Sequence, residues 1–302
     1  MRGRPRPLPV LAALAVALVV ALVSGCEHRA QEAPAAGAPG ATLVASAGYG
    51  ARELLSTRVA PGQSVMRGLR GATPVRTAYA GGFVSEMLGL ATDPAGPRDW
   101  FFFVNGIASP VGAKAVRIRD GDSIWWDHRD WGALVETPVV VGQWPAPLAH
   151  PGGDGPRVAA DPPLRAALAA DGATIVAGDP PWRARVGTSA DLAARDPAWR
   201  RALADPDAAG LTVAVEDGVI TALGPDGAPR RPVPGARALV AAVPTAARPQ
   251  DGVLVAVVGL DEAAAQAAAR AVAASPGILH LRYAVAFDGA GTPLVAGGRS
   301  TP

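Results

Sequence analysis

The stretch from Tyr79 to Trp131 reads YAGGFVSEMLGLATDPAGPRDWFFFVNGIASPVGAKAVRIRDGDSIWWDHRDW. It contains nine of the fifteen aromatic residues of the 302-residue chain, and the rest of the chain consists mostly of Ala, Gly, Pro, Val and Arg. Aromatic side chains each bury a large apolar area and dominate the energetics of cores and interfaces. We therefore expect the densest core, the binding surface, or both, to lie in this stretch.

The centre of this stretch predicts a two-sided aromatic strand. A strand is expected over residues 99–104, and the following Asn105-Gly106 is typical of a type I′ turn. Period-two alternation divides the side chains between two faces: Trp100, Phe102 and Val104 on the first, Phe101 and Phe103 on the second. We expect one face to pack on a helix and the other to be covered by a second domain, a ligand or a partner.

The flanking residues predict a β-grasp domain over residues 42–132. Its expected strands and extended segments are residues 42–47, 53–59, 75–79, 83–87, 99–104, 116–119 and 123–128. A short helix is expected over residues 65–70, with Ser64 as its N-cap. Residues 116–119 and 123–128 are expected to pair across Asp120-Gly121. Two strands, a helix and then several short strands is the element order of a β-grasp fold.

Three segments of this region, GGFVSEMLGLA, DWFFFVNGIASPVGA and RIRDGDSIWWDH, resemble the transcobalamin-like C-terminal domain family. This β-grasp family includes bacterial surface lipoproteins and domains of animal cobalamin carriers, and the resemblance covers residues 42–131. It implies a corrinoid ligand such as cobalamin, bound without a resident cofactor. It also implies six ligand-contacting residues: Gly81, Gly82, Phe83, Val84, Trp100 and Phe102.

The sequence departs from the cobalamin carriers in one respect. The carriers hold their ligand between this domain and a large helical barrel, and no such barrel is encoded here. The resemblance therefore implies a partner, either a helical-barrel protein or a transporter, or else a different ligand. Core packing explains each aromatic residue taken alone, whereas the aromatic area of the whole set favours some exposed binding surface.

The N-terminus predicts a lipoprotein signal. Arg2, Arg4 and Arg6 precede an apolar run over residues 8–23, which is typical of a signal peptide. The run ends in Val-Ser-Gly-Cys, so residues 1–25 are predicted to be removed and Cys26 to be lipidated. The alternative is a plain secretory signal or an uncleaved anchor. Residues 26–41 are expected to be a flexible tether on the extracytoplasmic face of the cell membrane.

Cysteine count and charge exclude several classes of protein. Cys26 is the only cysteine, which excludes disulfides, thiolate metal sites and cysteine nucleophiles. Without residues 1–25 the chain has 25 basic and 26 acidic residues. This balance gives no indication of a nucleic-acid partner.

The remaining sequence predicts a Pro/Gly-rich connection over residues 133–163 and a small α/β domain over residues 164–302. Within the connection, residues 139–141 resemble a buried strand. The expected helices of the second domain are residues 164–170, 190–204 and 262–274, the second capped by Ser189 and broken at Asp196-Pro197. Its expected strands are residues 174–177, 183–186, 211–216, 219–223, 238–243, 253–258 and 278–287. Val186-Gly187 and Val258-Gly259 indicate a weak repeat of a strand–helix unit.

No catalytic motif is present, so the sequence does not predict an enzyme. Asp120-Gly121-Asp122 lacks the further ligands of a calcium loop and is interpreted as a turn. Residues 127–130 read Asp-His-Arg-Asp and are interpreted as a solvated strand end, with His128 as a metal ligand the alternative. His150 falls in the connection and His280 on an apolar strand.

These features predict a lipid-anchored extracytoplasmic protein that captures a corrinoid for uptake. The expected mechanism is apolar contact with one face of the ligand, with no covalent step. The alternative is a scaffold or protein-interaction module of the cell envelope that binds no small molecule.

Overall fold

The computed structural model describes residues 39–150, 155–224 and 228–294. These residues contain both helices and strands, in agreement with the predicted α+β class. The predicted signal peptide, Cys26 and residues 26–38 of the predicted tether lie outside the described residues. No helix among the described residues has the length and apolar character needed to cross a membrane.

The first half of the chain has the strand arrangement of a β-grasp fold. Its strands are β1 (Ala41–Ala47), β2 (Arg52–Val59), β3 (Val75–Ala78), β4 (Phe83–Met87), β5 (Leu90–Ala91), β6 (Arg98–Val104), β7 (Ile107–Ala108) and β8 (Ser123–Asp130). The main sheet has the order β2-β1-β8-β6-β7, in which β1 and β8 run parallel and the other neighbours antiparallel. Strands β3, β4 and β5 form a separate sheet.

Helix α1 (Val65–Ala72) begins where its sequence predicts. The Ser64 side chain accepts a hydrogen bond from Arg67 N at 3.2 Å and so caps the first turn. The inward side of the helix buries Val65, Met66 and Leu69. The helix therefore contributes an apolar stripe to the core beside the main sheet.

The predicted pairing of residues 116–119 with residues 123–128 is wrong. Residues 116–119 form only an isolated bridge, between Ser64 and Arg117. Their backbone is bonded instead to the start of α1: Val65 N donates to Val116 O at 2.9 Å, and Gly62 N donates to Ile118 O at 2.8 Å. Strand β8 is free of this segment and lies between β1 and β6.

The second half is an α/β layer structure. Its strands are β9 (Arg157–Ala160), β10 (Thr174–Ile175), β11 (Trp182–Thr188), β12 (Val213–Glu216), β13 (Val219–Ala222), β14 (Arg231–Pro232), β15 (Ala238–Pro244), β16 (Val253–Gly259), β17 (Val285–Phe287) and β18 (Pro293–Leu294). Its helices are α2 (Pro162–Ala170), α3 (Ser189–Arg195), α4 (Pro197–Ala204) and α5 (Glu262–Ala274). The large sheet has the order β10-β9-β11-β16-β15-β17-β18, and β12, β13 and β14 form a small separate sheet.

The two predicted strand–helix repeats are neighbours in this sheet. Strands β11 and β16 run parallel, with Gly187 opposite Val258 and Thr188 opposite Gly259. A Cβ atom on Gly259 would lie 2.6 Å from Ala265 N, because α5 begins directly against the strand end. Helix α5 buries a face made of Ala264, Ala265, Ala268 and Ala269 together with Val272. Its small side chains bring the helix close to the sheet.

Three local predictions for the second half require correction. The N-cap of α3 is Thr188, whose hydroxyl accepts from Asp191 N at 3.2 Å, and Ser189 is the first residue of the helix. Residues 278–287 are a strand only at Val285–Phe287, because Pro276–Leu279 forms a 3-10 turn. Residues 139–141 are buried but form only an isolated bridge, from Val139 to Ile107.

Other predictions are confirmed. Residues 190–204 break at Asp196-Pro197, where Asp196 accepts from Ala198 N at 2.9 Å and caps α4. Helix α5 has the predicted bounds, Glu262–Ala274. Apart from these predictions, the structure groups the described residues of both halves in one compact unit.

Candidate functional site

The six residues predicted to contact a ligand divide between the surface and the core. Gly81, Gly82 and Phe83 lie at the surface, where a 3-10 turn (Tyr79–Gly81) joins β3 to β4. Val84 and Trp100 are buried in the core against α1. Phe102 is half-buried. The structure therefore does not place the six side chains on one exposed face.

The surface part of this set forms a tip, which we define as residues 79–83 and call the Tyr79 tip. Tyr79, Ala80 and Gly81 all have left-handed backbone angles, with φ of 48°, 54° and 79°. Left-handed angles are uncommon for residues other than glycine and cost free energy. Their effect here is to hold the Tyr79 side chain out, 86% exposed. Its ring meets Phe83 edge-on, with 6.1 Å between the ring centroids.

Two cationic side chains flank the Tyr79 tip. Lys114 Nζ donates to Ala80 O, and Arg70 Nη2 donates to Thr77 Oγ1 at 3.0 Å. A Cβ on Gly81 would lie 2.9 Å from Lys114 Nζ and 3.3 Å from Arg70 Nη2. Gly81 thus lets both cationic groups approach the backbone, and the tip combines exposed aromatic rings with positive charge.

The remaining predicted residues support the tip from within. Trp100 is 5% exposed, and its Nε1 donates to Leu90 O at 3.1 Å. The ring of Phe102 stacks on Trp126 with 4.7 Å between centroids. This face of β6 packs in the same core cluster as Met66 and Leu69 of α1. The helix-packed face predicted for the aromatic strand is therefore the one that carries Trp100 and Phe102.

The opposite face of the sheet is covered by the second half of the chain. Phe103 and Trp125 are buried, and both lie edge-on or tilted against Tyr283, at 5.5 Å and 5.1 Å between centroids. Leu134, Val140, Leu223 and Leu281 also belong to this cluster. This face is therefore covered by residues of the chain itself, from the connection and from the second half.

A buried polar centre lies in this covered face, and the sequence interpretation missed it. Asp127 is 0% exposed. Its carboxylate accepts from Ser46 Oγ at 2.6 Å, Tyr283 OH at 2.9 Å and Gly50 N at 3.2 Å. Ser46 Oγ in turn accepts from Trp125 Nε1 at 2.7 Å. The predicted solvated strand end is therefore wrong for Asp127.

The interpretation is also wrong for Arg129, which is 2% exposed. Its guanidinium donates to Leu134 O at 2.8 Å, Val135 O at 3.0 Å and Thr137 Oγ1 at 3.2 Å. The same group lies 4.1 Å from the centroid of the Phe101 ring, within the range of a cation–π contact. Arg129 thus ties the predicted connection to the sheet.

The electrostatic character of this centre follows from its burial. Burial raises the pKa of the Asp127 carboxyl, although the hydrogen bonds from Ser46, Tyr283 and Gly50 N–H act in the opposite direction. Burial also raises the pKa of the Tyr283 hydroxyl well above its ordinary value, and the charge of Asp127 adds to that shift. The Asp127 and Tyr283 side chains are enclosed, so they offer no surface to a substrate.

The other polar candidates have structural partners. Asp122 Oδ2 accepts from Arg119 N at 2.7 Å, as expected of a turn, and Asp120 Oδ1 accepts from the distant Gly40 N at 2.6 Å. His128 Nε2 lies 3.0 Å from Ala91 O. Within the described ranges, no group of three or more His, Cys, Asp and Glu side chains could hold a metal ion.

Comparison with known proteins gives little beyond this geometry. Residues 62–129, which include α1, the Tyr79 tip, β6 and most of β8, match the family described as "Domain of unknown function (DUF4430)". No curated protein matches the chain. A crystal structure of a "putative metal binding protein" from Ruminococcus gnavus ATCC 29149 is 12% identical, covers 31% of this chain and 98% of its own, and superposes with a TM-score of 0.27. A TM-score this low carries no argument about this chain, so the description applies to the other protein.

Proposed function

We propose that this protein is a lipid-anchored, extracytoplasmic binding protein that captures a corrinoid such as cobalamin at the Tyr79 tip. The observation that carries the proposal is the exposure of Tyr79 on a left-handed backbone. Residues held in costly backbone conformations cluster at active sites and ligand-binding sites. The resemblance to transcobalamin-like domains supports the choice of ligand.

The tip supplies the contacts that such a ligand requires. The rings of Tyr79 and Phe83 offer apolar area to one face of a flat molecule. Gly82 has no side chain and lets the ligand approach the backbone closely. Below the surface, Val84 and Trp100 are packed in the core and fix the position of β4 and β6. Binding is non-covalent and needs no catalytic group.

A partner completes the proposed site. Five residues at one tip contact only one face of a macrocycle, so a helical-barrel protein or a transporter covers the other face. Lipidation of Cys26 would hold the binding domain at the membrane, where such a partner lies. The chain then acts as a capture component in uptake, without catalysis.

The proposal is tested by isothermal titration of cyanocobalamin into residues 27–302, which contain every described residue. Saturable binding with a Kd below about 10 μM, a binding free energy of about 7 kcal/mol, is expected. Tyr79→Ala should weaken binding at least about tenfold, since exposed aromatic anchors dominate many interfaces. Tyr79→Phe keeps the ring and should bind like the wild type.

A matched control is Val219→Ala, because Val219 is also an exposed apolar residue, 43% exposed, but belongs to the second half. If Tyr79→Ala binds cyanocobalamin as tightly as the wild type, the corrinoid binds at a site other than the Tyr79 tip. Absence of any heat or saturation would favour the alternative function, an envelope scaffold whose tip contacts another protein.

A further inference from the structure

A cavity of about 210 Å³ lies between the β-grasp sheet and the rest of the chain, and no residue of the Tyr79 tip lines it. Strands β1 and β8 and the turns beside them form its floor, residues 142–149 form its wall, and His280 and Leu281 close one side. Thr42 is exposed, and lies where the cavity meets solvent. Its volume is below the range of about 300–1,000 Å³ usual for drug-sized ligands, which limits an occupant to about one ring.

The apolar part of the lining includes flat side chains. Trp144 and Pro145 are partly exposed and can contact an occupant. Trp125 also borders the cavity, but it is 0% exposed with its Nε1 bonded to Ser46, so it supports the lining from within. A partly exposed indole favours a flat ligand over a branched aliphatic one.

The polar part of the lining is oriented before any ligand binds. Asn105 Oδ1 accepts from Ser123 N at 2.8 Å, and Gln143 Oε1 accepts from Gly106 N at 2.9 Å. Because a backbone N–H must face the oxygen of each amide, these contacts define which end of each side chain is the NH₂ group. Both NH₂ groups are thereby held as donors at the cavity.

These donors have capacity left for a ligand. Asn105 Nδ2 donates to Asp122 Oδ1 at 2.8 Å, and Gln143 Nε2 donates to Ser123 Oγ at 2.8 Å. An amide nitrogen carries two N–H bonds, and within the described chain each uses one of them. The Ser123 hydroxyl, which accepts from Gln143, also keeps its own hydrogen to donate. The cavity therefore offers donors to an acceptor oxygen.

The charges around the cavity favour an uncharged oxygen. The lining contains neither Lys nor Arg, and its one titratable side chain, His280, has Nε2 3.4 Å from Glu53 Oε2. The carboxylate of Asp122, 4% exposed, accepts from Asn105 and lies 3.2 Å from His150 Nε2. A ligand carboxylate or phosphate would thus find no Lys or Arg in the lining, whereas a carbonyl oxygen needs only the neutral donors.

We propose that this cavity binds a small, flat, uncharged molecule that presents a carbonyl oxygen, such as a primary amide or a lactam on a single ring. The carbonyl accepts from Asn105, Gln143 and Ser123, and the ring lies against the Trp144 indole. The site does not depend on corrinoid binding at the Tyr79 tip.

The test uses nicotinamide as the probe and nicotinate as its matched control, since the two share a ring and differ in amide against carboxylate. Nicotinamide is titrated into ¹⁵N-labelled protein of residues 27–302, and the Gly106 amide, the Trp144 indole and the Asn105 and Gln143 side-chain amides are followed by NMR. We expect saturable shifts with a Kd on the order of 1–10 mM, and binding of nicotinate at least about tenfold weaker.

Two variants connect the shifts to the cavity. Thr42→Trp fills the exposed mouth and should abolish the shifts, whereas Thr42→Val should retain them. Gln143→Glu keeps the oxygen that accepts from Gly106 N but removes the side-chain NH₂ donor, so the affinity for nicotinamide should fall at least about tenfold. If Gln143→Glu does not fold, Thr42→Trp alone tests the site. No shifts at about 50 mM nicotinamide, equal binding of nicotinate, or unchanged binding in Thr42→Trp would each overturn the proposal.

Discussion

The Tyr283 hydroxyl donates a hydrogen bond of 2.9 Å to the Asp127 carboxylate, and both side chains are buried. Asp127 belongs to the central strand of the β-grasp sheet, whereas Tyr283 comes from the second half of the chain, 156 residues further on. The Tyr283 ring also packs edge-on against Trp125 and Tyr49, each at 5.1 Å. This one side chain therefore joins the two halves by both a polar and an aromatic contact.

Tyr283→Phe should lower the free energy of unfolding by about 1–3 kcal/mol, because the buried carboxylate loses a donor and gains none. The measurement is urea unfolding followed by tryptophan fluorescence. Tyr79→Phe removes an exposed hydroxyl and is the control, with an expected change within about 0.5 kcal/mol. Equal effects of the two substitutions would show that the bond to Asp127 contributes nothing to stability.

The raised pKa of Asp127 predicts a definite pH dependence. The folded state holds the proton more tightly than the unfolded chain, so this contribution to stability is complete below the unfolded pKa of about 3.9 and is lost as the pH rises through the folded pKa. Asp127→Asn cannot titrate, and its amide oxygen can still accept from Ser46. Its stability relative to the wild type should therefore increase between about pH 4 and the folded pKa of Asp127.

Asp196 provides a comparison of opposite sign. Burial alone would raise its pKa, but hydrogen bonds from Arg183 and from Ala198 N hold the pKa below the ordinary value. Its contribution is present above the unfolded pKa and is lost as the pH falls through the folded one. Asp196→Asn should thus lose stability relative to the wild type as the pH rises through about 4. Both variants are measured by urea unfolding at a series of pH values. If the free energy of unfolding of Asp127→Asn relative to the wild type does not change with pH, the raised pKa of Asp127 is contradicted.

Gly259→Ala should lower the free energy of unfolding by at least about 2 kcal/mol. The new Cβ would lie 2.3 Å from Asp261 O and 2.6 Å from Ala265 N, both backbone atoms that cannot move without shifting α5. Gly277→Ala is the matched control, because no atom lies within 4 Å of the position that its new Cβ would take. Thermal melts of both variants suffice, and a tolerated Gly259→Ala would mean that α5 can move away from the sheet.

Trp100→Ala should lower the free energy of unfolding by about 3–5 kcal/mol, since it removes a large side chain from a closed core. Tyr79→Ala should change it by less than about 0.5 kcal/mol, because the Tyr79 ring is exposed. Chemical denaturation of the two variants measures both free energies of unfolding. It thereby distinguishes the supporting role of Trp100 from the ligand-contacting role of Tyr79. A Trp100→Ala variant as stable as the wild type would contradict the supporting role assigned to this indole.

The β-grasp elements could be predicted because their signals are local. Alternation located β1, β2 and β6, Ser64 marked the start of α1, and Asn105-Gly106 marked the tight turn, with φ of 51° and 80°. Residues 116–119 could not be assigned in the same way. Their partners are the backbone groups at the start of α1, and nothing in their own composition indicates that choice.

The candidate site shows the same limit. Gly81 and Gly82 were predicted as ligand contacts and lie at a turn in the structure, but the sequence did not mark Tyr79 as the exposed ring. Asp127 and Arg129 have the composition of a solvated strand end. They are buried only because Tyr49, Leu134 and Tyr283 come from other parts of the chain to cover them. Such burial depends on the tertiary fold and has no local signal.

The parallel pairing of β1 with β8 also has a consequence for how the chain acquires its fold. Ser46 and Asp127 are 81 residues apart and face each other in adjacent strands at the centre of the sheet. Contacts of such long range form slowly, because the entropy of closing the intervening loop opposes them. During synthesis, the edge of β1 that pairs with β8 therefore stays unpaired until β8 has emerged. An unpaired strand edge of this kind exposes the nascent chain to aggregation.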